Sequence, residues 1–339
     1  MRSTVITLVL LTLTSTMVIV DARSTSAIID QAEQFVSSGG STIILAAPQS
    51  IDPRACESLV GVSGVIAAGA LRASSEDLRL DLLPGSAIPT YDSTPGLAQI
   101  LATADVPTGG LLMSESLAAD LSVESGSDVS IDGQPAPIAS VFDWPTDGRR
   151  SDFEYSLFTP VPTLGLFDEC WVQERPEKGN ASVLIRQALS VGSDPDTPVE
   201  IGQLNSSLGQ SFDGAEMFDA RLTRFGPIAV FFVTSLLFAA LVVSRRVELA
   251  SALHAGVRRN DLVVQLIIEM LVVWSVAVVG ATIAFGIATS DRSAGDLFAI
   301  AAGSLATIVS ACFGALIGIV AATVGIQEAR LFKYFKGRQ

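Results

Sequence analysis

Four stretches of this chain, 3–20, 225–244, 262–290 and 297–327, are apolar over a length that can cross a bilayer, which takes roughly 20 residues of helix. They constrain everything else, because backbone placed in hydrocarbon must satisfy its own hydrogen bonds, and continuous apolar runs do so as helices. The third run carries one charge, Glu269. The runs are unevenly spaced: short polar connections separate the last three, whereas the long polar stretch 23–224 separates the first two. The expected fold class is therefore an α+β membrane protein, with four transmembrane helices and a large extracytoplasmic domain between helices 1 and 2. Its parts are helix 1 (1–22), the outer domain (23–224) and a membrane domain (225–339). The last divides into helices at 225–244, 262–290 and 297–327, a hinge at 245–261 and a tail at 328–339.

Charge sets the orientation. The chain start, the hinge and the tail hold nine basic residues (Arg2, Arg245, Arg246, Arg258, Arg259, Arg330, Lys333, Lys336, Arg338) against three acids. Lys and Arg next to membrane spans mark the cytoplasmic side. Residues 23–224 hold 28 acidic against 11 basic residues and belong outside, and their acidity argues against a nucleic-acid partner. The expected location is a plasma membrane, crossed several times, with the large domain outside. Val20-Asp21-Ala22 also reads as a signal-peptide cleavage site, which would leave three helices. Retention is preferred because the apolar run exceeds the ~7 to 15 residues of a signal core.

Cys56 and Cys170 both fall in the outer stretch, where oxidation is possible, and Cys312 falls in the last apolar run. A Cys56–Cys170 disulfide is the natural pairing, with two separate thiols as the alternative; Cys312 reads as a small packing residue.

The outer stretch alternates helical and strand patterns. A helix at 27–38 ends at Gly39-Gly40, before the strand STIILAA. A helix at 53–64, the strands VIAAGAL and LRLDLL, and a short helix LAQILA follow. From 110 onward Ser114 is placed to cap a helix ending near Leu121, and DVSI and PIASVFDW form strands joined by Asp132-Gly133. Strands are expected at EYSLFTPV, CWVQ and ASVLIR, and a helix from Pro198 over VEIGQLNSSL.

Missing chemistry narrows function. The single histidine, His254, is in the hinge, so the outer stretch has no His-based triad or HExxH zinc site. The three lysines, Lys178, Lys333 and Lys336, are in no GxxxxGK[ST] loop, so no Walker-type ATP site is present. Glu76-Asp77, Asp168-Glu169 and Asp194-x-Asp196 lack EF-hand spacing and read as solvated surface. Asn180-Ala-Ser and Asn205-Ser-Ser match glycosylation acceptors, a short and common pattern. No catalytic residue, metal site or cofactor is expected in this chain.

The hinge reads RRVELASALHAGVRRNDLVVQLIIE from Arg245 to Glu269. Gly256 is placed to end one helix, and Asn260 or Asp261 to cap the next. The arginines suit lipid headgroups or an acidic protein surface. In the last run, Gly303, Thr307, Ala311, Gly314, Gly318, Ala322 and Gly325 line one flank, with Gly314-x-x-x-Gly318 the tightest pair. Such a face lets helices approach closely in lipid, unless it only reflects an alanine-rich composition. Glu269, about 15 Å beyond Arg259 along a helix, is costly near hydrocarbon unless paired or able to snorkel.

This segment resembles the signature of the FtsX/MacB-like ABC permease family. The matching elements are Arg245-Arg246 with Glu248, the Ala252–Gly256 turn, Arg258-Arg259 and Glu269. A second stretch, LLMSESLAADLSVESGSDVSIDGQPAPIASVFDWP, resembles the MacB-like core of the outer domain, with Ser127-Asp128 where the family usually has Gly-Asp. The chain departs in lacking a basic amphipathic helix before the first span and in its short tail. The resemblance implies the membrane subunit of a type VII ABC transporter, a homodimer in a 2:2 complex with a separate ATPase that binds ATP and Mg. It implies that Arg245, Arg246, Glu248, Gly256, Arg258 and Arg259 couple to the ATPase, and that Glu269 makes a polar contact between moving helices. The outer domain would act on an unknown substrate for efflux or extraction. Alternatively, it would switch an extracytoplasmic cell-wall hydrolase by mechanotransmission, or serve as an anchored binding or sensory module with no ATPase.

Overall fold

The computed structural model describes residues 2–75, 78–83, 85–102, 109–175, 181–192 and 196–326. Glu76-Asp77, Lys178, Asn180, Asp194 and the tail 328–339 lie outside the described residues. The helices are α1 (Arg2–Ser37), α2 (Pro53–Ser58), α3 (Pro95–Ala102), α4 (Glu115–Leu121), α5 (Ala181–Leu184), α6 (Gly214–Ala220), α7 (Gly226–Ser244), α8 (Arg246–His254), α9 (Arg259–Ala288) and α10 (Ala294–Gly325). The strands are β1 (Thr42–Ile51), β2 (Val65–Ala73), β3 (Thr90–Ser93), β4 (Leu111–Ser114), β5 (Asp128–Ile131), β6 (Gln134–Phe142), β7 (Leu157–Pro160), β8 (Phe167–Glu174) and β9 (Glu200–Gln203). The chain forms two compact units, Gln31–Gly214 and Met1–Asp30 with Ala215–Gln339.

Gln31–Gly214 is an α+β unit on one mixed sheet of order β5-β6-β4-β7-β3-β2-β8-β1-β9. Strand β8 lies between β1 and β2, antiparallel to both. Alternate side chains of a strand point to opposite faces, and both faces of β8 are covered. Cys170 and Val172 join Leu45, Ile51, Cys56 and Ile185 in one apolar cluster. Trp171 joins Ile44, Leu97, Phe153 and Phe158 in another. A third cluster packs α4 on β4, with Met113, Leu117, Val129 and Leu157 buried in it. The aromatic side is dense: Phe153 stands 4.8 Å from Tyr91, 5.3 Å from Trp144 and 5.7 Å from Trp171, centroid to centroid. On the other side a disulfide joins Cys56 of α2 to Cys170 of β8, with 5.8 Å between Cα atoms. The β5–β6 hairpin turns through Asp132 and Gly133, both at positive φ (49° and 75°), the type I′ geometry that Asp-Gly favours.

Several local expectations are corrected. ASVLIR is not a strand but α5 followed by a 3₁₀ turn, Ile185–Ala188. Its buried residues Ala181, Ile185 and Ala188 recur at helical spacing, a period that its β-branched composition conceals. The stretch after Pro198 is not a helix; it contributes the edge strand β9, paired with β1. LRLDLL forms one isolated bridge, Leu80 to Ile131, and the single buried face that its alternation implies is broken, with Leu80 buried but Leu82, two residues on, exposed. Ser114 precedes α4, but its side chain caps nothing; Ser114 Oγ accepts the Ser156 amide at 3.0 Å. The helices expected at 3–20 and 27–38 are one element, α1.

In the other unit, α1, α7, α9 and α10 are long and apolar enough to cross a membrane. The helical segments start about three residues earlier than the apolar runs at α9 and α10, as Arg259–Ala288 and Ala294–Gly325. The buried stripe of α10 includes Ile300, Ser304, Thr307, Ala311, Gly314, Gly318 and Thr323. A Cβ on Gly314 would strike the Phe231 carbonyl and Thr234 Oγ1, and one on Gly318 the Ser235 carbonyl. These two glycines therefore seat α10 against the backbone of α7, the close approach that small residues allow in lipid. Gly226 and Gly280 receive Met17 and Leu11 of α1 in the same manner. The outward faces carry exposed Phe232, Leu236, Val272, Ile283 and Phe313, as helices solvated by acyl chains require.

Candidate functional site

The hinge between α7 and α9 is a short helix, α8, with a sharp exit. The Gly256 amide donates to the Leu253 carbonyl at 3.0 Å and the Val257 amide to the Ala252 carbonyl at 3.1 Å. Gly256 itself is at φ +92°. This pair of bonds around a left-handed glycine is the Schellman ending of a helix. A β-carbon at Gly256 would meet nothing within 4 Å, so the residue is required by backbone conformation rather than by lack of space. From His254 to Asp261 every residue is exposed. Helix α9 then begins at Arg259 with Arg258 as its N-cap, which makes no side-chain capping bond. Asn260 and Asp261 are inside the helix rather than capping it, and Asp261 adds a negative charge to its first turn, where the helix dipole favours one.

The base of the hinge is held by charge. Arg245, at the junction of α7 and α8, places Nε 3.1 Å from Glu248 Oε2 and Nη1 2.5 Å from Glu269 Oε2. Gln265, one turn before Glu269, donates to Glu269 Oε1 at 3.3 Å. One guanidinium thus joins α7, α8 and α9. Burial works against the charge of Arg245, but its hydrogen bonds to Glu248 and Glu269 outweigh that and hold its pKa above the ordinary arginine value. Arg259 donates through Nη2 to the Ile326 carbonyl at 2.9 Å, at the C-terminal end of α10, where a cation is favoured by the helix dipole.

Of the residues singled out in the sequence, the fold brings Arg245, Glu248 and Glu269 into one cluster. Arg246 is half-buried at the start of α8, Gly256 and Arg258 are at the exposed corner, and Arg259 ties α9 to α10. Gly314 and Gly318 meet α7, and Cys56 and Cys170 are bonded in the core of the sheet unit. Cys312 is partly buried in α10 and packs against the apolar cluster of the helical unit, as a small packing residue does.

Two further ion pairs of the helical unit escaped the sequence reading. Arg221 Nη1 is 3.5 Å from Asp21 Oδ1, with both side chains less than a tenth exposed. Arg292 and Asp30 face each other at 2.6 Å and 2.7 Å through paired nitrogens and oxygens. A lone acid at the end of the first apolar run and an arginine just before the second were the visible signals.

In the sheet unit, a hollow of about 240 Å³ is lined by Trp144, Thr146, Arg149, Arg150, Ser151 and Glu154. Its two guanidiniums are already engaged, Arg149 by Asp147 and Arg150 by Glu169, which leaves no free cation there to select an anionic ligand. Among the described residues no group of three His, Cys, Asp or Glu side chains is placed to hold a metal.

No family model matches the chain, and no curated protein matches it. Among solved structures, it is similar to the periplasmic region of MacB from Actinobacillus actinomycetemcomitans, at 12% identity and a TM-score of 0.33, over 47% of this chain and 86% of that one. A superposition this loose assigns neither fold nor activity.

Proposed function

We propose that this chain is the membrane subunit of an ATP-driven transporter of the FtsX/MacB-like kind, without catalysis of its own. It acts as a homodimer with two copies of a separate ATPase, which carries the ATP and Mg. The chain sits in a bacterial plasma membrane with the hinge inside and residues 31–214 outside, the orientation favoured by its basic residues. The observation that carries the reading is the exposed corner at Gly256, set between two bilayer-length helices and anchored at its base by Arg245.

Such a corner suits docking on a protein surface. Its backbone is fixed by two turn bonds, while the side chains around it are exposed. A push on α8 reaches α7 and α9 together, because Arg245 grips Glu248 and Glu269 at once. ATP-driven closure of the ATPase pair then tilts these helices and moves the outer unit, for efflux or extraction of a substrate.

The test is to purify the full-length chain from its native membranes and assay ATP hydrolysis. Mg-dependent hydrolysis is expected to copurify and to vanish with Gly256→Pro, which removes an amide donor and imposes negative φ. Purified, folded chain free of any ATPase would overturn the reading.

A further inference from the structure

Residues 31–214 are inserted between Asp30 and Ala215 of the helical unit, so α1 leads into them and the segment before α7 leads out. We infer that Arg221 and Asp21 form an internal clamp that makes these two connections move as one body. This deepens the proposed function, on which its role in transmission rests, but the clamp itself is a property of the chain alone.

Arg221 is held from several sides. Its Nη1 meets Asp21 Oδ1 at 3.5 Å and donates to Thr25 Oγ1, one turn further along α1. Its Nε donates to the Phe218 carbonyl at 3.0 Å, and its guanidinium stacks 3.5 Å from the Phe218 ring centroid. Thr25 Oγ1 in turn donates to the Asp21 carbonyl at 3.0 Å. Asp21 is also seated against α10: a Cβ on Gly303 would collide with Asp21 Oδ2. The clamp thus joins α1, the lead-in to α7, and α10.

Stability alone does not account for this arrangement. Asp21 is 4% exposed, and its Oδ2 is buried without a hydrogen-bond partner. Buried ion pairs with unsatisfied atoms stabilise less than apolar packing of the same volume; their best-attested use is to fix register between elements. Breaking one side leaves an uncompensated buried charge, so the pair resists separation of the elements that it joins. The bidentate Arg292–Asp30 pair ties α1 a second time, to the connection between α9 and α10. A helix fixed at Asp21 and again at Asp30 cannot rotate independently of the others.

The test uses the full-length chain with Cys312→Ser, reconstituted in nanodiscs and diluted with unlabelled chain, carrying spin labels at Ala27→Cys and Ala220→Cys. Both label positions are exposed. The parent should give a single narrow distance distribution, and Asp21→Asn and Arg221→Gln should each broaden it about twofold or more, as freed connections sample more states. Gly303→Ala should broaden it similarly by displacing the carboxylate, and Gly303→Ala in an Asp21→Ala background should add nothing to Asp21→Ala alone. Should Arg221→Gln fail to fold, the near-isosteric Asp21→Asn decides. Unchanged widths in folded Asp21→Asn and Gly303→Ala proteins would overturn the clamp. No ATPase takes part in this measurement, so its failure is distinct from failure to copurify ATP hydrolysis.

Discussion

Each of the two units of this molecule is packed internally by means opposite to the other's. The sheet unit fills its interior with large side chains, Trp171, Phe142, Phe153, Phe158 and Phe167 all being fully buried, and adds a disulfide. The helical unit brings helices together by removing side chains, with Gly226, Gly280, Gly303, Gly314 and Gly318 at its contacts, and pins them with the charges of Asp21, Arg221, Arg245 and Glu269. In water, burying apolar area drives association. In lipid it does not, because acyl chains are as apolar as leucine, and close packing with polar contacts takes over. The placement of size and charge in each unit follows from its solvent.

Substitutions can break this contrast. The largest effect is expected from Cys56→Ser with Cys170→Ser, which opens a loop of sequence separation 114. The loss is about 5 kcal/mol for a loop of that size, read as earlier unfolding of Trp144 and Trp171 fluorescence in denaturant, with the α9 tryptophan Trp274 replaced by Phe. Next is Gly318→Leu, where adding atoms rather than deleting them does the damage. Forcing α10 off α7 is expected to cost about 3 kcal/mol, seen as a lower thermal midpoint of the full chain in detergent. Gly256→Ala strains the left-handed turn by about 1 kcal/mol. Amide exchange at residues 256 and 257 should then rise about fivefold, with the rest of the hinge unchanged. The smallest effect is for Leu236→Ala. This residue is 71% exposed on α7 and faces acyl chains, so the change should stay within about 0.5 kcal/mol. A comparable truncation of Leu45 in the sheet core, 0% exposed, is expected to cost about 2 to 5 kcal/mol.

The sequence made the long-range plan legible, because hydropathy over bilayer-length windows is a strong physical signal. Four apolar helices and an inserted α+β unit follow from it. The turn at Gly256 was legible too, since only glycine takes that conformation at little cost. The disulfide partners were legible by elimination, with two cysteines outside the apolar runs. Local strand and helix assignments fared worse wherever tertiary context decided. VEIGQ is an edge strand because β1 offers a free neighbour, and nothing in its own residues says so. Ser114 looked like a helix cap, yet Ser156, 42 positions away, claims its hydroxyl. Asp21 and Arg221 are 200 positions apart, and no periodicity links residues across such a span. Glu269 was visible as a costly acid, but its partner Arg245 was fixed only when the α8 corner folded the chain back.

Whether the Gly256 corner rests on a separate ATPase is read by placing a photo-crosslinking amino acid at Val257, next to the turn and exposed. Irradiation of intact cells that express the full-length chain, followed by purification and mass spectrometry of the adduct, identifies what touches it. A single dominant adduct is expected with a protein that carries a Walker-type ATP site, abolished by Gly256→Pro. Adducts with lipid alone, or with no ATP-binding protein, would contradict it.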